Sequence, residues 1–494
     1  MSKLNRRKFL EYSAGAGLAA AGLSRLPSGV LAQDDMGIDP TKWTPDYIKS
    51  IAGTLEVDTA AECAKVVPLD YTGRLTYWWV GPNEASPPIE HDIDTQFWEA
   101  FAQTYPNITV EKQNLDYNQM LDKVRTSALG NAAPMVAKMP ILWGVEFAAK
   151  GQLMELKPED VGYPTTEFWP GAMKSVTWDS KTYGVPTNNE TMALIWNAGI
   201  FEEAGLDPES PPATWDDLVN YSKQIHDSTG KFGYGLVARV NAGNTPFRFM
   251  PKAWAFGGGA LDEAEAEPTY QSIYINNDGT KAAVQAMYDM YVRDKSVPTS
   301  ALTNTQTENQ DPFIAGNLAM MISHPSEYAT MLDRASQATG ADKEVADAVV
   351  ANMRYGLIPE GPTRRAVVFG GSNAHIFNPD NVDGDMDLDA ARAFLAFSTG
   401  PEWSTKLAWV SSNPGNSRGF RTSFMKERLD TIKNLEVTTS MLPYGIPFPV
   451  IAESTEIMNT IVPEMLQNAL TETMSVSDAC DDAADKIDEL LNGM

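Results

Sequence analysis

Between Arg74 and Gly151, short apolar runs alternate with stretches of helical period, and this order limits the fold more than any other feature of the chain. RLTYWWV, Arg74 to Val80, predicts a buried strand closed by Gly81-Pro82. Phe97, Phe101 and Tyr105 recur at helical spacing behind Asp92 or Asp94 as a cap, and Ile108 to Val110 reads as the next strand. Tyr117 to Leu129 is the next helix, Met135 to Leu142 a third strand, and Val145 to Ala149 the start of another helix. Strand–helix–strand order predicts an α/β fold with parallel pairing. Since single cores stop growing near about 250–300 residues, 494 residues imply two lobes or domains.

A second unit follows the turn at Gly205 to Pro212. Thr214 with Asp217 three residues on forms a capping-box pattern ahead of a helix, and Phe232 to Val237 is strand-like. Lys281 to Val292 is amphipathic, with Ala283, Met287 and Met290 on one face. Residues 260–278 predict an acidic loop and a short strand, and 335–351 a helical insertion.

Lys3, Arg6, Arg7 and Lys8 precede an Ala/Gly-rich stretch, and Val30 and Ala32 give a small-residue cleavage pattern, so residues 1–32 predict an export signal cut near Ala32. Arg6-Arg7 followed by Lys8, Phe9 and Leu10 resembles the bacterial twin-arginine signal, which implies a periplasmic destination for a protein exported folded. Beyond it, no stretch reaches the ~18–20 apolar residues of a membrane span. In an oxidising compartment Cys63 and Cys480 can close a bridge; Cys480, on a terminal helix face with Ala484, Ile487 and Leu491, reads equally as a small core residue.

A net charge of −27 repels nucleic acid and anionic membranes. The four histidines, His91, His226, His324 and His375, include no pair at helical zinc spacing, and His226 falls where a helix C-terminus favours a cation. G-x-S-x-G and the phosphate loop are absent. Asp383, Asp385 and Asp387 are followed by Leu388 where a calcium loop needs Gly, so the run reads as a solvated loop with Asp389 capping the next helix. No cofactor or metal is implied. The 12 Trp, 17 Tyr and 18 Phe gather partly beside turns, as at Trp79, Trp143 and Trp254, where the strand ends of an open α/β sheet receive ligands. Sugar rings stack on such side chains, and their hydroxyls need polar partners.

WDSKTYGVPTNNETMALIWNAGIFEEAG, Trp178 to Gly205, followed by Pro211-Pro212 and Thr214-Trp215-Asp216, resembles the extracellular solute-binding proteins of bacterial ABC importers, in the maltose-binding-protein-like, carbohydrate-binding group (family 1). LTYWW, GNAAPM, FIAGNLAMMIS, GLIPEGP and FGGSNAHIF extend the match over most of the chain. The resemblance implies a two-lobe periplasmic-binding-protein fold: an N-terminal extension at 33–70, one lobe from 71–190 and 360–400, the other from 191–359 and 401–494. It places crossings near 188–194, 356–365 and 400. It also implies a monomer that buries a small carbohydrate in a central cleft, closes about a hinge and docks on the permease, without catalysis.

Carried over by position, the resemblance puts Trp79, Asn83, Glu84, Trp143, Glu146, Asn188, Asn189 and Glu190 in the pocket. Arg239, Trp254, His324, Glu327, Tyr328, Gly371, Ser372 and Asn373 complete the expected set. Two departures stand out: Met135 follows Pro134 where the family often has Asp, and Ser326 follows Pro325 where it has an aromatic, leaving Glu327 or Tyr328 to make that contact. Two other readings are a receptor for a polyamine, drawn by Glu84, Glu146, Glu190 and Glu327, and an exported saccharide hydrolase or lyase, for which no activated acid/base pair stands out.

Overall fold

The structure is a computed structural model and describes residues 42–84, 86, 88–141, 143–241, 243–262, 273–408, 412–432 and 434–493. The export signal and its cleavage point lie outside the described residues.

Two sheets organise the chain. The larger has six strands in the order Asn413–Pro414, Val185–Glu190, Gly370–Ile376, Val136–Pro140, Gly73–Trp79 and Ile108–Asn114. Gly73–Trp79 pairs in parallel with Ile108–Asn114 over seven residues and with Val136–Pro140, as strand–helix–strand order requires. Gly370–Ile376 returns antiparallel between Val136–Pro140 and Val185–Glu190. The smaller sheet runs Met353–Gly356, Ala193–Asn197, Leu318–Ser323, Phe232–Tyr234. Its central strands are buried on both faces, which is why they read as continuous apolar runs rather than alternating ones.

Each sheet has its own core. Against the larger one, Phe97 and Phe101 of the helix Pro88–Thr104 pack edge-on and tilted with Phe394 and Phe397 of the helix Leu388–Ser398. Beside the smaller one, Trp196, Trp215 and Trp254 meet Met465, Leu466 and Ile487 of the C-terminal helices. Thr214 caps the helix Trp215–Thr229 through both bonds of its box with Asp217, and Gly230 ends it in the left-handed region, φ +73°.

Several boundaries differ from the sequence reading. The aromatic helix begins at Pro88, so Asp92 and Asp94 lie inside it; Pro suits a first turn whose N–H has no partner to lose. Asp387, not Asp389, caps the helix Leu388–Ser398, accepting from Ala390 N. The segment 42–70 is part of the body: Trp43 packs edge-on against Trp169 and Phe420 and donates its Nε1–H to Thr439 O at 2.8 Å. The third crossing is not near Gly400. Asn413–Pro414 pairs with Val185–Glu190 in the larger sheet, so the chain reaches the second core only beyond it, at Met441 and Phe448. Residues 401–414 therefore do not belong to the second lobe as the resemblance implied. Cys63 and Cys480 are both free thiols, one in each lobe's core, so they form no bridge.

Candidate functional site

Glycine opens the site in two places. Gly371 has φ +125°, and a Cβ there would stand 2.1 Å from Asn188 O, so only glycine lets the return strand lie this close to Asn188. At Gly81 a Cβ would meet the Trp79 indole, also at 2.1 Å. Asn114 accepts from Gly81 N and donates to Pro82 O, fixing the loop after the first strand.

Around these strand ends lies a cavity of about 510 Å³. Trp79, Asn83, Glu90, Asp94, Lys138, Trp143, Asn188, Glu190, Gly371 and Ser372 line it from the larger sheet, and Phe247, Phe448, Met458 and Asn459 from the smaller sheet's side. Trp79 stacks on Tyr77 at 5.2 Å and 15°, which sets its plane at the cavity edge. Asn373 lies beneath, donating to Ile141 O and Ser175 Oγ. Two residues, Thr191 and Met192, join the strand Val185–Glu190 of one sheet to Ala193–Asn197 of the other.

The charge distribution is uneven. Burial raises Glu190 to about 7 despite the opposing field of Lys138. Lys138 is held below the usual lysine range by burial, with Glu190 and Glu90 opposing. Asp94 is raised by burial although Lys112 and the Trp98 N–H favour its charged form. Lys406 is already engaged, 3.0 Å from Glu402 and 4.0 Å from the Phe424 ring centroid. Among the described residues, the Glu190 and Lys138 side chains make no hydrogen bond or ion pair, and no group of three or more His, Cys, Asp or Glu could hold a metal.

Seven of the sequence-derived positions line this cavity: Trp79, Asn83, Trp143, Asn188, Glu190, Gly371 and Ser372. The others do not. Glu84 is exposed on the turn. Glu146 is bound by Arg125 and Lys150 at 2.6 and 2.5 Å, a triplet that satisfies it elsewhere. Asn189 is fully buried and donates to Pro414 O, and Asn373 supports the floor without lining it. Trp254, 1% exposed, belongs to the second core, and Arg239 is outside the lining. His324 is driven down to about 3, first by burial and then by Arg248, while Glu327 pairs with Arg248 at 2.6 Å behind Phe247. The Tyr328 side chain lies outside the described ones.

Sequence reasoning missed Glu90, Asp94, Lys138, Phe247, Phe448, Met458 and Asn459. Lys138 alone left a signal, as the single charge in the buried strand VAKMP.

The residues that match the family of bacterial extracellular solute-binding proteins run from 88 to 405, through both sheets. The chain belongs to this family. Like other members, this solute-binding protein is the receptor of an ABC transporter rather than an enzyme. It is 24% identical to a putative binding protein of Brucella abortus over 408 residues, 80% of this chain and 88% of that one. In structure it is similar to the GacH receptor of Streptomyces glaucescens, solved unliganded and with acarbose, at TM-score 0.66 and 23% identity over 85% of this chain and 99% of that one. The cyclic alpha-maltosyl-1,6-maltose binding protein of Arthrobacter globiformis gives 0.70 and 20% over 86% and 100%. At these identities the structures establish the two-lobe fold. No helix among the described residues of this solute-binding protein is long and apolar enough to cross a membrane.

Proposed function

We propose that this receptor captures a carbohydrate or sugar-derived polyol between its lobes in the periplasm, after twin-arginine export, and delivers it to the membrane permease. The observation that carries this reading is the cavity itself. Aromatic rings from both lobes, Trp79 and Trp143 on one side and Phe247 and Phe448 on the other, enclose polar groups at Asn83, Asn188, Ser372 and Asn459. Rings take the apolar faces of a sugar, while amides and hydroxyls pair with its hydroxyl groups, which cannot be buried unpaired without loss. The sugar-binding structural neighbours add support. The two-residue link Thr191-Met192 favours closure about a hinge, with ligand selecting the closed state.

The polyamine reading loses most of its ground, because Glu84, Glu146 and Glu327 lie outside the cavity or are already paired. Differential scanning fluorimetry against neutral sugars, polyols and polyamines tests the reading. A ligand at a hundredfold excess over its dissociation constant adds about 2.7 kcal/mol of stability and raises the melting temperature. Shifts with polyamines alone would overturn it.

A further inference from the structure

Among the described residues, the lining of the cleft carries more negative than positive charge, Glu90, Asp94 and Glu190 against Lys138 and Lys406. Glu190 closes the strand Val185–Glu190, and Glu90 lies in the first turn of the helix Pro88–Thr104; both bias the titration of Lys138 on the strand Val136–Pro140. The remaining charged lining groups are Asp94, which accepts from the Trp98 N–H, and Lys406, which is tied to Glu402. On the second lobe's side the lining is uncharged: Gly243, Phe247, Phe448, Thr455, Met458 and Asn459. Arg248, next to Phe247, is committed to Glu327. Two carboxylates thus share one free ammonium, in an enclosure walled by aromatic rings.

Resting on the receptor reading above, we propose that the solute carries one protonated amine on a polyhydroxylated body, as in an amino sugar or amino-polyol, with the amine seated against Glu190 and Glu90. An ammonium balances the excess carboxylate, and the neighbouring rings favour a cation over their faces. The hydroxyl-bearing remainder finds Lys138, Asn83 and Asn188 as partners. The elevation of Glu190 to about 7 agrees: burial disfavours its charged form more than Lys138 favours it, and a bound amine adds a second opposing charge. Binding of such a solute therefore strengthens as pH rises through the range in which Glu190 ionises while the amine is still protonated.

Isothermal titration with matched pairs tests this on the whole exported protein. D-glucosamine is compared with D-glucose, D-galactosamine with D-galactose and N-methyl-D-glucamine with D-sorbitol, at pH 5.5 and 7.0, with spermidine as an outside arm. At least one amine is expected to bind roughly tenfold or more tighter than its neutral counterpart at pH 7.0, and to gain about tenfold from pH 5.5. Glu190→Gln should remove the pH gain, and Glu90→Gln should weaken the amine several-fold more than its neutral partner. Neutral partners binding as tightly as the amines, spermidine binding tightest, or no amine binding up to about 10 mM would each overturn the proposal. Neutral sugars binding without amines leaves the receptor reading standing; silence from every neutral sugar and polyol as well counts against both.

Discussion

Glu190 and Gly370 are register partners on antiparallel strands, and a Cβ on Gly370 would stand 3.4 Å from the Glu190 Cβ and 3.7 Å from its Oε2. The carboxylate that ends one strand is therefore pressed against the start of the strand by which the chain returns from the second lobe. Its surroundings, and not its neighbours in sequence, set its charge.

Glu190 makes stability depend on pH. Burial raises it from an ordinary 4.5 to about 7, so between those values the folded protein holds a proton that the unfolded chain has released. Its contribution to stability is therefore lost as pH rises from 4.5 to 7. Urea melts at pH 5 and pH 8 should show Glu190→Gln gaining on the parent by about 1–3 kcal/mol at the higher pH and little at the lower.

Trp143 and Trp254 should behave differently when truncated. Trp143 lines the cavity, so Trp143→Ala is expected to lose about 1–3 kcal/mol of affinity for the solute identified by the panel. Trp254 is core, so Trp254→Ala should cost about 3–5 kcal/mol of stability. Calorimetric binding and denaturant melts on both variants check the contrast; equal stability loss with unchanged affinity would return Trp143 to the core.

The Arg248–Glu327 pair is almost wholly buried, and Arg248 Nε and Glu327 Oε2 lack hydrogen-bond partners. Glu327→Leu alone leaves an uncompensated guanidinium and should destabilise by about 3–5 kcal/mol. Adding Arg248→Met should recover most of that loss. A double-mutant cycle by denaturant melting gives the answer.

Both cysteines should be unreactive in the folded protein. Burial pushes each thiol up to about 12, with Glu62 and Glu402 adding to the rise at Cys63 and Asp481 at Cys480. Ellman's reagent at pH 8 is expected to titrate no thiol natively and two in guanidinium, and reductant should leave the melting temperature unchanged.

Strands and helices that pack through local periodicity were legible in the chain. RLTYWWV, the helix Tyr117–Leu129 and the Thr214–Asp217 box each need only residues within a turn or a pleat of one another, and local patterns specify them. Trp79 and Trp143 could be placed near a site because they end or follow strands, where an open α/β sheet meets its ligands, whereas Glu190 was placed there by the family resemblance. Local pattern failed where a side chain's partner is distant. Glu146 reads like Glu190 until Arg125 and Lys150 are seen to neutralise it, and Trp254 reads like Trp143 until the second core closes over it. Lys138 and Glu190 line one cavity although the strand Gly370–Ile376 separates theirs in the sheet, and Phe448 reaches that cavity only after the chain has crossed between sheets. Burial, pairing and charge state depend on which groups tertiary packing brings within a few ångströms, and sequence separation carries no information about that distance.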